Sequence, residues 1–340
     1  MVQEYYLGAD SLKITMAHGS GGKATTELIH SLFKENFGNE VLDKMEDAAV
    51  LELPASRIAY TTDSFVVNPL VFAGGDIGKL AICGTVNDLL MMGAVPAYLT
   101  SGFIIEEGME LELLEKIVLS MKAAAAEAGV KIVAGDTKVV EGKGGMYINT
   151  SGIGILEAGR SVSVANARPG DAVILSGGLG NHHACILSSR MGIKNNIASD
   201  CAPLNDMVTK LLASGIDIRT MRDVTRGGLG TVLNEVAESS GVLINIKENS
   251  IPVDADVKGF CEILGLDPLY MGNEGKMICI VPGDSADKAL EIIRSSKYGS
   301  SAELIGAVEA AEHSKVVFTT RLGGKRVIDV LYGEGLPRIC

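Results

Sequence analysis

Residues 75–94 read GDIGKLAICGTVNDLLMMGA. Apolar side chains at Leu80, Ala81, Val86, Leu89 and Leu90 recur at the helical period, and Gly93 with Pro96 stops the run as a helix end is stopped. The pattern predicts a helix over 76–92. Gly84 sits mid-helix, where glycine costs about 1 kcal/mol relative to alanine. Either another helix packs closely there, or a bulky ligand approaches the backbone; the local sequence leaves both open. Asp88, one turn on, adds a carboxylate to the same helix.

Working outward, residues 58–62 form a β-rich run ending at Asp63, and residues 111–128 repeat the helical period up to Gly129, a left-handed cap. Residues 130–134 read as a strand that ends at Gly135-Asp136-Thr137-Lys138, and 146–155 as another. Residues 89–105 are uncharged, but Gly93, Pro96, Thr100, Ser101 and Gly102 break them into helix end, turn and strand rather than a membrane span. A polar, Pro/Gly connection at 165–170 marks a domain boundary. Beyond it come a strand at 172–175, a glycine loop at 176–180 with a helix behind it, and the pair Gly227 and Gly228 before a helix at 229–237. A strand at 277–281 and a helix at 286–294 complete the second half. The expected organisation is a domain over 1–160, a second over 165–330, and a flexible tail, LYGEGLPRIC, over 331–340.

A chain of 340 residues suits two domains. Its 47% hydrophobic and 21% charged residues exclude disorder over most of the length, and its net charge of -12 argues against nucleic acid or an anionic membrane as a partner. The first residues lack the basic and apolar regions of a signal peptide, so a cytoplasmic location is expected. The six cysteines (83, 185, 201, 261, 279 and 340) show no CxxC pair and no Cys/His metal spacing, which predicts reduced thiols.

Three acids stand where separate elements could present them to one cleft: Asp47 in MEDAAV, Asp63 in YTTDSF, and Asp88. Convergent carboxylates suit Mg²⁺, a hard cation that bridges oxygen ligands to substrate phosphates; singly, each is an ordinary turn residue. Asp223-Val-Thr-Arg226-Gly-Gly ends in glycines at a helix N-terminus, where free N–H groups and an arginine favour phosphate. His18-Gly-Ser-Gly-Gly-Lys23 is a glycine stretch with a cation but not a Walker A loop; a mobile linker explains it equally. Glu274 lies between glycines in Gly272-Asn-Glu-Gly-Lys276, by default a turn. His30, His182, His183 and His313 have no partners at ligand spacing and read as structural. Cys340 carries both a thiol and the chain's α-carboxylate, whose charge opposes thiolate formation, so it is no ordinary nucleophile. On a tail of ten residues, reaching about 34 Å, it could enter a cleft, be modified and leave.

HGSGG, EDAAV, TTDSF, GDIGKLAICGTVNDLLMMGA, GFIIEEG, GDTKVV, DVTRGG, GNEGK and the terminal PRIC occur in this order over nearly the whole chain. In this the sequence resembles the HypE family of nickel–iron hydrogenase maturation proteins, within the ATP-binding superfamily of aminoimidazole ribonucleotide synthetase (PurM), selenophosphate synthetase and thiamine-monophosphate kinase. The resemblance implies an α+β, PurM-like two-domain fold whose N-terminal sheets pair into a barrel across a homodimer. It implies ATP and Mg²⁺ as cofactors, with Asp47, Asp63 and Asp88 as Mg-ATP ligands and Asp223 as a fourth metal ligand. Gly135, Asp136, Thr137 and Arg226 would contact phosphates, and Lys138 and Glu274 would handle protons. In this family a HypF carbamoyltransferase loads the terminal thiol, here Cys340; ATP-dependent dehydration turns the S-carboxamide into a thiocyanate, and cyanide passes to iron on a HypC–HypD complex. One departure is Asn181-His182-His183, where the family pattern has an Asp-His-Gly run. A kinase or synthetase acting on a free metabolite, or a non-enzymatic scaffold, would leave respectively the PRIC tail or the acid cluster without a purpose.

Overall fold

The computed structural model describes residues 13–19, 23–44, 51 and 57–330. A 3-10 turn, Met16–Gly19, precedes a helical segment in which α1 (Lys23–Leu28) and α2 (Glu35–Phe37) flank a wider stretch, Ile29–Lys34. Then follow β1 (Ile58–Phe65), the short pair β2 (Val71–Phe72) and β3 (Gly75–Asp76), α3 (Ile77–Met91), β4 (Val95–Glu106), α4 (Leu111–Ala128), β5 (Lys131–Val140) and β6 (Met146–Ile155). One sheet has the order β1-β6-β4-β5. β6 runs antiparallel to both its neighbours, while β4 and β5 are parallel, joined by the crossover helix α4 that a parallel pair requires.

Asp76 caps α3, its carboxylate accepting from the Lys79 N–H at 2.9 Å. The helix packs on β1 and β6, beside α4, and across onto the second half of the chain, so all its residues but Lys79, Gly84 and Asp88 are buried. Gly84 and Asp88, one turn apart, share a face of α3, whereas Lys79 lies on the other side, its Nζ donating to the Gly74 carbonyl at 3.0 Å. On the opposite face of the sheet Ile58, Tyr60, Val95, Ile104 and Tyr147 are exposed, Tyr60 by 67%.

The second unit comprises β7 (Asp171–Leu175), α5 (Asn181–Met191), α6 (Asn205–Ala213), β8 (Thr220–Asp223), α7 (Gly228–Ser240), β9 (Leu243–Lys247) and α8 (Ala255–Leu264). β10 (Met277–Pro282), α9 (Ala286–Arg294), β11 (Glu303–Glu309), β12 (Lys315–Thr319) and β13 (Lys325–Ile328) complete it. Its sheet has the order β13-β12-β9-β11-β7-β10-β8, antiparallel except between β9 and β12. The strand β10 shows why its sequence is unbroken apolar: Met277, Cys279 and Val281 join a core continuous with α3 and α4, while Ile278 and Ile280 face the core under α7. The chain is thus the two-domain α+β protein its sequence implied. No described helix is long and apolar enough to cross a membrane.

One expectation is corrected here. Gly135 to Lys138 do not end a strand at residue 134; β5 continues through them to Val140, pairing Gly135, Asp136, Thr137 and Lys138 with Ser101, Gly102, Phe103 and Ile104 of β4. A polar run is tolerated because β5 is a sheet edge with one face open to solvent.

Candidate functional site

A cleft of about 940 Å³ opens where α3 meets the second sheet, lined among others by Asp63, Gly84, Asp88, Asp223, Arg226 and Glu274. Each comes from a different local device. Asp63 points from β1 toward α3, and Asp88 approaches it from the face of α3 that also carries Gly84. Thr61 Oγ1 donates to Asp88 Oδ2 at 3.0 Å, and Thr85 Oγ1 to Asp63 Oδ2 at 3.5 Å. Asp223 ends β8, paired with Met277 at the start of β10. The chain then passes through Thr225 and Arg226 to Gly227, which caps α7 without a side-chain acceptor. At Gly228, φ is +63° and a Cβ would collide with the backbone of Tyr270, so only glycine opens this helix here.

Electrostatically the cleft has two characters. Burial, then the charge of Asp88, pushes Asp63 up to about 6, and the same two causes push Asp223 up to about 6 against the pull of Arg222. Glu274 is raised well above the usual carboxylate range by burial, with Asp200, Asp223, Cys83 and Asp63 adding to it. Crowded carboxylates of this kind call for a cation. Arg226, Arg190 and Arg222 line the same cleft beside the uncapped start of α7, a combination that suits an anion. A metal–polyphosphate complex satisfies both demands at once. Among the described residues no three carboxylates, thiols or imidazoles stand close enough to hold a metal ion by themselves. Asp63, Asp88 and Asp223 reach the cleft from three separate elements, and carboxylate oxygens completed by phosphate and water are the donors that suit Mg²⁺.

Of the residues singled out in the sequence, the structure brings Asp63, Asp88, Asp223, Arg226 and Glu274 together. Asp47 and Cys340 lie outside the described residues. Gly135, Asp136, Thr137 and Lys138 do not line this cleft: Lys138 Nζ bonds to Asp136 Oδ1 at 2.7 Å, both side chains exposed, and holds that carboxyl below its usual range. Strand alternation explains this, because Asp63, Thr150, Ser101 and Gly135 share one row of the sheet, so Asp136 and Lys138 project from the opposite face. The sequence reading missed Arg190 and Arg222. Arg222 adjoins a recognised motif and binds Asp223 at 3.3 Å and Glu235 at 3.5 Å. Arg190 arrives from the last turn of α5, donating to the Asn68 carbonyl at 2.6 Å, and carries no local signal.

Fold and cleft together define the class of AIR synthase related proteins: the N-terminal domain of that family matches residues 45–156, and its C-terminal domain residues 168–319. Within this class the chain belongs to the HypE family, being 51% identical over 331 residues to the carbamoyl dehydratase HypE of Azotobacter vinelandii, across 96% of this chain and 97% of that protein. A crystal structure of the hydrogenase maturation protein HypE in complex with ATP superposes with a TM-score of 0.92 at 46% identity, covering 96% of this chain and 99% of that one. A HypE–HypF complex matches with a TM-score of 0.78 at 50% identity, over 89% and 99% of the two chains.

Proposed function

We propose that this protein is an ATP-dependent carbamoyl dehydratase of hydrogenase maturation that acts, in the cytoplasm, on its own terminal Cys340. The observation that carries the reading is the cleft itself: crowded, partly desolvated carboxylates facing arginines and an open helix start, in a chain whose relatives carry that name. Asp63 and Asp88, with Asp47 and Asp223, would hold Mg²⁺, which when bound neutralises charge on the phosphates. Arg226 and the first N–H groups of α7 hold phosphate oxygens. A HypF carbamoyltransferase supplies the carbamoyl group, and a HypC–HypD complex takes the cyanide.

Chemically, the S-carboxamide oxygen on Cys340 must accept the γ-phosphoryl group, and an amide oxygen gains the nucleophilicity for this only as an N–H proton leaves. Glu274, desolvated and surrounded by other acids, is suited to take that proton. Loss of phosphate with the second N–H proton leaves S–C≡N. Gly135 and its neighbours enter through a homodimer. Asp63 lies on edge strand β1 and Gly135 to Lys138 on the other edge, β5, so a dimer that closes its two sheets with the β5 of each copy beside the other's β1 would bring them together. Gly135 and Thr137 would then share the face that Asp63 presents to the cleft, while Lys138 would project from the other face of the closed sheet.

Intact mass of the full chain, loaded with carbamoyl by HypF and carbamoyl phosphate, tests the reading. Addition of Mg-ATP is expected to remove the mass of one water from the adduct, with no adduct on Cys340→Ala. ATP turnover that ignores the tail and needs a free metabolite instead would replace this function with a small-molecule kinase.

A further inference from the structure

Glu274 stands in a short loop, Gly272 to Lys276, just before β10. Asn273 is buried behind the loop; its side chain accepts from the Gly180 N–H at 2.7 Å and donates to the Val224 carbonyl at 3.0 Å. On the other flank lies the segment 199–204. The Asp200 side chain, only 5% exposed, receives the Glu274 N–H on Oδ1 and the Gly275 N–H on Oδ2, each at 3.2 Å, with Lys276 Nζ 3.4 Å from Oδ2. Gly275 makes this approach possible, since a Cβ there would collide with the Asp200 carbonyl. The Ala202 N–H closes the contact by donating to the Glu274 carbonyl at 3.4 Å.

The same segment is fastened to the N-terminal domain. Asn87, buried on α3 next to Asp88, donates from Nδ2 to the Ala202 carbonyl at 3.1 Å and accepts on Oδ1 from the Leu204 N–H at 2.9 Å. A continuous set of hydrogen bonds, buried at Asn87 and partly buried at Asp200, therefore runs from the helix that carries Asp88 to the backbone of Glu274. Asp200 stands behind the Glu274 loop and is not among the residues that line the cleft.

We propose that Asp200 is a positioning residue for the dehydration: its two carboxylate oxygens fix the backbone of Glu274 and Gly275, and its segment registers Glu274 against Asp88 across the domain junction. This rests on Glu274 being the proton acceptor. A carboxylate suits the place because two adjacent N–H groups need a two-oxygen acceptor, and half-buried Lys276 needs a counter-charge. A shift of about 1 Å in a reacting group costs about 10²-fold in rate.

The test uses full-length protein carbamoylated on Cys340 and reads the dehydration rate at saturating Mg-ATP, the ATP concentration giving half that rate, and the thermal midpoint. Asp200→Ala alone strands Lys276 in the interior, so it is paired with Lys276→Met; Asp200→Asn, which keeps the shape and one acceptor oxygen, is the milder variant. For the double variant the saturated rate is expected to fall about 10²-fold while half-saturating ATP stays within about 2-fold, and for Asp200→Asn to fall about 10-fold. A folded Asp200→Asn or double variant with the parental rate, in a protein that Glu274→Gln inactivates, overturns the role of Asp200. Parental rate in Glu274→Gln overturns instead the reading of Glu274 on which it rests.

Discussion

The charge of Asp88 acts on two neighbours, since it is among the causes that push both Asp63 and Asp223 up to about 6. Without a cation the three acids repel, so the cleft trades stability for binding. Asp88→Asn should therefore raise the thermal midpoint of the metal-free protein near pH 7.5, by about 2–4 °C for each kcal/mol of repulsion relieved, and abolish the further rise on adding Mg-ATP. A lower midpoint in the metal-free variant would mean that the bond from Thr61 outweighs the repulsion. Gly84, one turn earlier, resolves the alternatives its sequence left open. A Cβ there would lie 2.8 Å from the ring of Phe65 on β1, so a strand rather than a helix packs against it, and the same position lines the cleft.

Helix α5 opens with Asn181, His182 and His183, and both histidines are buried. His182 Nδ1 lies 2.8 Å from Ser199 Oγ, and its ring meets Phe72 edge-on; Asp200 and His183 are its charged or titratable neighbours. Burial lowers each histidine to about 4, against the pull of Asp200 on His182 and with His182 and Arg190 adding to the effect on His183. Between the ordinary 6.5 and about 4 the unfolded chain binds more protons than the folded one, so their contribution is intact above 6.5 and is lost as pH falls through the window. His183→Gln should flatten the decline of the thermal midpoint between about pH 7 and pH 5, whatever it does to the midpoint at neutrality; an unchanged slope would assign the acid lability elsewhere. The same helix shows what a sequence can reveal. The periods of α3 and α4 and the unbroken apolar run of β10 were readable because burial imposes them locally. Arg190 was not, because tertiary packing alone aims it at the cleft. The length of β5 was hidden too, since polar residues on an edge strand look like the loop that follows one.

Across the whole molecule, one sheet presents Asp63 and the Gly135 to Lys138 run at opposite edges, with Gly135 and Thr137 on the face of Asp63 and Lys138 on the other. A single copy leaves its own cleft without Thr137, whereas edge-to-edge closure in the proposed dimer would give each cleft the Thr137 of the other and cover exposed Tyr60 and Ile58. The arrangement makes a sharp prediction for mixed assemblies. Thr137→Asp dimers, with a negative charge set beside the phosphates, and Glu274→Gln dimers should each be inactive. Purified mixed dimers, one copy of each, then contain one site with both residues intact and one with neither, and should recover about half the parental dehydration rate. If each Thr137 instead served its own copy's cleft, both sites of the mixed dimer would lack one residue and no activity would return. Tyr60→Asp, charging the sheet face that closure would bury, should shift the protein toward the mass of a single 35.6 kDa chain and lower turnover with it. Light scattering and rate measured on the same sample separate this from a folding defect, because the monomer should keep its thermal unfolding transition while losing the site that only the pair completes.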